Sequence, residues 1–137
     1  MTAKRVLADT SVWIEWLRKS DHPVNVKMEF LIENDGLCVA SAIKAELMRG
    51  AESDHERSDL DAYWRNLPLL KADDAVWEEA GRLAYRLRRK GITPGLIDCY
   101  LASLAIRHGS SLMTLDKGFQ SMPLHCSLKL ETLIFES

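Results

Sequence analysis

Arg5-Val6-Leu7-Ala8-Asp9-Thr10-Ser11 carries a short apolar run that stops abruptly at an acid and two hydroxyls. The Val6-Leu7-Ala8 run has the length of a buried central strand. Behind it, Val12, Trp13, Trp16 and Leu17 recur at helical spacing, which predicts a helix to about Lys19. Asp9 is therefore expected at the carboxyl end of a first strand. It would face the crevice above an α/β sheet, where the ligands of such sheets bind.

Outward from this unit, strands alternate with helices. Pro23 suits the first position of a helix from Val24 to about Glu33. Asn34-Asp35-Gly36 is a turn, and Leu37-Cys38-Val39-Ala40 a second strand. Ser41 is expected to cap a third helix through Arg49, closed by Gly50. Ala51 to about Asn66 reads as a polar helix. Leu67-Pro68-Leu69-Leu70 reads as an edge strand, because Pro cannot donate to a ladder. Asp73 or Asp74 opens a long helix striped by Val76, Trp77, Ala80, Leu83, Ala84 and Leu87, and Gly91 ends it. Thr93-Pro94 reads as the cap and first residue of another helix ending at His108-Gly109, with Ile97, Leu101, Leu104 and Ala105 on one face. Ser111-Leu112-Met113-Thr114 is a further strand. A turn of helix lies around Gly118-Phe119-Gln120, and a last strand is expected within Ser127 to Phe135. The pattern predicts an α/β protein of one domain, residues 1–137. Its central, mainly parallel sheet would have about five short strands with helices on both faces.

The 137 residues suit a single hydrophobic core, and 47% apolar with 28% charged residues is ordinary for a globular protein. No apolar run approaches the roughly 20 residues that span a bilayer. The first strand is read almost at the start of the sequence, so no signal peptide is expected. Cys38, Cys99 and Cys126 have no metal-ligand spacing and read as reduced thiols, so a cytoplasmic protein is expected. The net charge of −2 counts against a protein that grips nucleic acid by overall charge, but not against an enzyme whose metal ions supply positive charge locally.

Four acids stand out as a set. Asp9 and Asp116 each follow a short apolar strand, while Glu46 and Asp98 each sit on a helix beside such a strand. Singly each has a plain structural reading. Asp9 and Asp116 could cap helical turns, Glu46 could be a solvated helix residue, and Asp98 could answer a helix N-terminus. Ala102 and Ala105, on the face of Asp98, let another element come close. If the strands are parallel neighbours, the strand-end acids meet at one rim. Four carboxylates in one crevice raise one another's pKa and destabilise the empty site. Two Mg2+ or Mn2+ ions would remove that cost, since these cations prefer all-oxygen ligands. The matching chemistry is phosphodiester hydrolysis.

Four motifs follow in order: Leu7-Ala8-Asp9-Thr10-Ser11, the helix around Ala45-Glu46-Leu47, Asp98-Cys99-Tyr100-Leu101-Ala102, and Thr114-Leu115-Asp116-Lys117-Gly118-Phe119. Together they resemble the PIN domain family, and in particular the VapC-type toxins of toxin–antitoxin pairs. The resemblance spans nearly the whole chain. Gly118 departs from it, standing where many members carry an acid or His. Cys99-Tyr100 replaces a smaller pair. The resemblance implies an endoribonuclease dependent on Mg2+ or Mn2+, hydrolysing RNA with metal-activated water. Asp9, Glu46, Asp98 and Asp116 would hold the metals, and Thr10, Ser11 and Thr114 would orient ligands or water. It also implies a homodimer inhibited by a VapB-type antitoxin whose C-terminal segment fills a groove. The apolar excess of Trp13, Ile14, Trp16 and Leu17 is a candidate border for that groove. None of His22, His55, His108 and His125 is assigned to acid–base work. Lys44, Arg49, Lys117 and the Arg86, Arg88, Arg89, Lys90 group are candidates for phosphate contact, the last group equally readable as a solvated helix end. Two other readings compete. A receiver or haloacid-dehalogenase-like domain would want a second acid next to Asp9. A non-catalytic PIN-like interaction module would retain the fold and bind only a partner.

Overall fold

The computed structural model describes residues 5–133. Strand β1 (Val6–Ala8) is central, and β2 (Leu37–Cys38) and β3 (Ser111–Met113) pair with it on either side, both parallel. Val6 is opposite Leu37 and Ser111, and Ala8 opposite Met113. All three strands are buried on both faces, which is why they read as continuous apolar runs rather than alternating ones.

The order β2-β1-β3 means the chain steps to one side of β1 and then crosses back to the other. That reversal leaves a crevice at the carboxyl ends of β1 and β3, the usual binding place in such sheets. Helices α1 (Thr10–Leu17) and α2 (Val24–Glu33) make the first crossover. Helices α3 (Ser41–Arg49), α4 (Asp54–Trp64), α5 (Asp74–Arg89) and α6 (Leu96–His108) make the second. The core joins Leu7, Trp13, Met28, Ile43, Leu87, Leu104, Leu112, Met113 and Phe119, each essentially solvent-free.

The sheet has three strands, not about five. The two expected outer strands survive as single parallel bridges, Val39 to Leu69 and Leu112 to Leu130. Pro68 offers its carbonyl to the Val39 N–H at 2.9 Å, and Leu70 N–H returns to Val39 at 2.9 Å. Without a donor on Pro68 the ladder goes no further. On the other side Lys129 and Glu131 flank one bridge, each bonded to the Leu112 backbone. The tail of the expected last strand, from residue 134, lies outside the described residues.

Two caps also differ. Ser41 is the first helical residue and Ala40 stands at the cap without a side-chain bond, because the chain passes from the bridged Val39 into α3 with no loop between. Gly95, not Thr93, caps α6, and Pro94 lies before the helix. Helical backbone is disfavoured for a residue that precedes proline, which argues against a helix start at Thr93. Helix α6 is buried all round from Cys99 to Ala105, whereas Ile97 is exposed. Trp77, read as core, is partly exposed and stacks on Tyr100 with ring centroids 4.3 Å apart. Gly109 closes α6 in the left-handed region at φ 65°. The three cysteines are free thiols.

Candidate active site

Asp9 is the fixed point of the site. Its backbone N–H donates to Met113 O at 3.0 Å, which ties the end of β1 to the end of β3. Its side chain caps α1, accepting from Val12 N–H at 3.3 Å. The Ser11 hydroxyl donates to Oδ1, and the Thr114 hydroxyl donates to Oδ2. Both hydroxyls also accept. Ser11 Oγ takes the Leu115 N–H at 3.0 Å, and Thr114 Oγ1 takes the Asp116 N–H at 2.9 Å. One carboxylate thus holds together the α1 start and the loop that carries Asp116. Thr114 is 4% exposed and Asp9 5% exposed. Burial pushes the Asp9 carboxyl above its usual pKa, and the bonds from Ser11, Thr114 and Val12 oppose that shift.

The other three acids stand around this point at increasing exposure. Glu46, half-buried on α3, accepts from the Thr10 hydroxyl at 3.1 Å through Oε2. Asp98 lies in the first turn of α6 and bonds the Gly95 backbone, an acid three residues inside its cap. Asp116, exposed, caps the 3-10 turn Lys117–Phe119, its Oδ1 accepting from Gly118 N–H at 2.9 Å. A side chain at Gly118 would meet that same oxygen at 3.2 Å.

The electrostatics show that these acids share one space. The Asp98 carboxyl is raised first by burial and then by the negative charges of Asp116, Asp9 and Glu46. Repulsion among the acids was expected at every member. It acts on Asp98, whereas Asp9 is raised by burial.

Among the described residues, no three acids, His or Cys already stand close enough to hold a metal ion between them. The reason is visible in the bonds. Asp9 is engaged by two hydroxyls, Glu46 is turned to Thr10, and Asp116 is folded back on Gly118. The donor set is nonetheless all oxygen, with hydroxyls and no imidazole or thiolate among the bonded groups. That is the chemistry hard divalent cations prefer.

The PIN domain family model matches residues 6–123, which includes all four acids and the strands and helices that present them. The chain belongs to the PIN domain family. Within it, the chain is 35% identical over 118 residues to ribonuclease VapC11 of Mycobacterium tuberculosis, covering 83% of this chain and 88% of that protein. The fold matches the structure of VapBC2 from Rickettsia felis bound to a promoter DNA fragment with a TM-score of 0.76. That match has 23% identity and covers 92% of this chain and 96% of that one. It also matches VapBC-1 from nontypeable Haemophilus influenzae with a TM-score of 0.76 at 20% identity, covering 93% and 97%.

Beside the acids, this PIN domain has a groove of about 430 Å3 lined by Thr10, Ile14, Leu17, Glu46, Leu60 and Tyr63 among others. Leu60 and Tyr63 come from α4, which the sequence presents as a polar helix. Their spacing with Trp64 was the available signal. Of the apolar excess on α1, Trp13 goes to the core, Ile14 and Leu17 line this groove, and Trp16 packs edge-on against Tyr63 at 5.0 Å. Lys44 is also placed differently from a free phosphate-binding cation, since its ammonium lies 5.6 Å from the centre of the Trp64 ring. Arg49 and Lys117 are exposed.

Proposed function

We propose that this chain is a metal-dependent endoribonuclease, the toxin of a cytoplasmic toxin–antitoxin pair. The observation that carries this reading is the shared field of the acids, in which Asp98 is opposed by Asp116, Asp9 and Glu46. Mutual repulsion at the mouth of an α/β crevice is costly unless cations neutralise it. Mg2+ or Mn2+, when bound, supplies the acidity that makes water a nucleophile and the charge that stabilises a leaving oxygen. Asp9, Glu46, Asp98 and Asp116 are the residues that would hold the ions. Ser11 and Thr114 keep both Asp9 oxygens aimed, and Thr10 keeps Glu46 in place. Kinship with a protein named ribonuclease VapC11 supports RNA as the substrate.

The partner reading rests on the groove beside the acids. Its walls of Ile14, Leu17, Leu60 and Tyr63 suit the apolar face of a helix, and Thr10 and Glu46 at its border suit a polar or cationic group. A VapB-type antitoxin segment fits that description, and the VapBC structures of the same fold support it. The exposed Trp77, Leu96 and Ile97 on α5 and α6 offer apolar surface for a second copy of the chain.

The test is RNA cleavage by the purified chain, freed of any antitoxin, in Mn2+, Mg2+ and EDTA, beside the Asp9→Asn variant. Metal-dependent cleavage that disappears in the variant is expected. Cleavage in EDTA, or equal cleavage by Asp9→Asn, would refute the mechanism. Metal binding with no cleavage of any RNA would favour a non-catalytic interaction module.

A further inference from the structure

We infer that Gly118 is a positioning residue that sets how readily Asp116 reaches a divalent cation. It holds the Asp116 carboxylate on its own amide, and ligation has to break that bond. The inference rests on the metal reading of the four acids and concerns a residue outside that set.

The first observation is the identity of residue 118. Glycine is commonly required where the backbone is left-handed. Among the described glycines only Gly91 and Gly109 have that conformation. Gly118 belongs instead to the 3-10 turn Lys117–Phe119. What its missing side chain leaves is space. A Cβ there would lie 3.2 Å from Asp116 Oδ1, closer than the roughly 3.5–4.0 Å of ordinary contact, and its three nearest atoms all belong to the Asp116 side chain. The glycine is therefore a cradle for one carboxylate.

The second observation is the bond in that cradle. Gly118 N–H donates to Asp116 Oδ1 at 2.9 Å and turns the carboxylate back on its own loop. Asp116 is nonetheless near the other acids. After burial, its charge is the largest influence raising the Asp98 carboxyl, ahead of Asp9 and Glu46. The acid that presses hardest on Asp98 is thus the one held back.

The third observation is that only the side chain has to turn. The Asp116 N–H donates to Thr114 Oγ1 at 2.9 Å, and the Asp116 carbonyl accepts from Phe119 N–H at 3.3 Å. Phe119 is sealed in the core and anchors the turn. The Asp116 side chain is exposed, so rotation away from Gly118 meets little resistance and leaves Asp9 held by Ser11 and Thr114. Metal affinity is then reduced by the fraction of chains in which Asp116 is still capped. A side chain at position 118 crowds the capped carboxylate and raises the competent fraction.

The experiment titrates Mn2+ into the full chain by calorimetry, comparing the parent with Gly118→Ala. Gly81→Ala is the control, since a Cβ there meets nothing within 4 Å. Gly118→Ala is expected to bind Mn2+ about fivefold more tightly, the factor that corresponds to one side-chain cap. Its Tm is expected to fall by about 3 °C in EDTA and to equal that of the parent at saturating Mn2+, because the tighter binding offsets the lost cap. In an Asp116→Ala background the same substitution is expected to cost nothing in EDTA, since its effect runs through the carboxylate. Unchanged or weaker Mn2+ binding by Gly118→Ala would overturn the proposal, because an Asp116 that ligates while capped loses affinity when the cap is disturbed. So would a fall in Tm that persists at saturating Mn2+, which would make Gly118 a packing residue. A parent chain that binds no Mn2+ would overturn the metal reading and this inference with it, whereas the other outcomes leave that reading standing.

Discussion

Replacing Thr114 by Val tests the bonding that aims Asp9. The substitution keeps the branched shape and removes one hydroxyl from a site that is 4% exposed. Two bonds go with it, the donation to Asp9 Oδ2 and the acceptance from Asp116 N–H at 2.9 Å. A hydrogen bond to a charged group contributes about 1.5–3 kcal/mol, and a neutral one about 1 kcal/mol. A loss of about 3 kcal/mol is therefore expected. Unfolding entropy of about 2.1 cal/mol/K per residue amounts to about 0.29 kcal/mol/K for a chain of this length, so Tm should fall by about 10 °C. The fall should depend on pH. Burial already raises the Asp9 carboxyl, and the Thr114 bond lowers it, so the variant's carboxyl lies higher still. A raised carboxyl means that the folded chain holds more protons than the unfolded one between the ordinary carboxylate value and the folded one. Stability therefore falls as pH rises through that window. The deficit of the variant is largest at neutral pH and narrows as pH falls through the folded pKa of Asp9. Calorimetry in EDTA, with Thr114→Ser as the hydroxyl-retaining control, measures this. If Val and Ser variants melt together at every pH, the account of Asp9 is wrong.

Other substitutions probe separate parts of the structure. Asp98→Asn should raise Tm of the metal-free chain by a few degrees at neutral pH, because its carboxyl is raised by burial and by three acids. That advantage should fade as pH falls through the folded pKa, and the variant should not cleave RNA. Melting curves and a cleavage assay check both. Arg49→Ala with Lys117→Ala should flatten the log–log salt dependence of RNA binding by about 0.7 for each phosphate no longer neutralised. Gly109→Ala should cost about 1–2 kcal/mol, since φ 65° is strained for a residue with a side chain, and denaturant titration reads the loss.

Much of the sheet was legible because its strands are buried on both faces and bounded by turn residues. Val6–Ala8 and Ser111–Met113 stand out as apolar runs, each ending near an acid. The outer strands were not, because their pairing is a property of neighbours. Leu69 and Leu130 each find one partner, and nothing in the local residues says that the ladder stops there. At the site, the four acids and the hydroxyls of Thr10, Ser11 and Thr114 were legible as types at fixed positions. The capping by Asp9 and by Asp116 was legible too, because it is local. The bonds across the chain were not, since Ser11 accepts from Leu115 on a loop more than 100 residues away. The contribution of Tyr63 and Leu60 to the groove was hidden by the polar residues that share their helix.

The placement of Glu46 explains how one chain could serve both RNA and a partner. Glu46 belongs to the acid cluster through its charge on Asp98, and to the groove through its place in the lining beside Thr10. Any cation brought to Glu46 from the groove side weakens the repulsion that metal ions would otherwise relieve. It therefore lowers the gain on metal binding, without touching Asp9. Linkage makes the effect reciprocal, since metal at the acids must weaken such a partner by the same factor. In the proposed toxin, inhibition and catalysis then draw on the same negative charge. Thr10→Val should loosen that coupling by freeing Glu46 from the Thr10 hydroxyl, which separates the groove from the acids while leaving Asp9 held by Ser11 and Thr114. Isothermal titration of Mn2+ with and without a cationic groove-binding peptide reads the coupling, and an unchanged ratio of affinities in Thr10→Val would refute it.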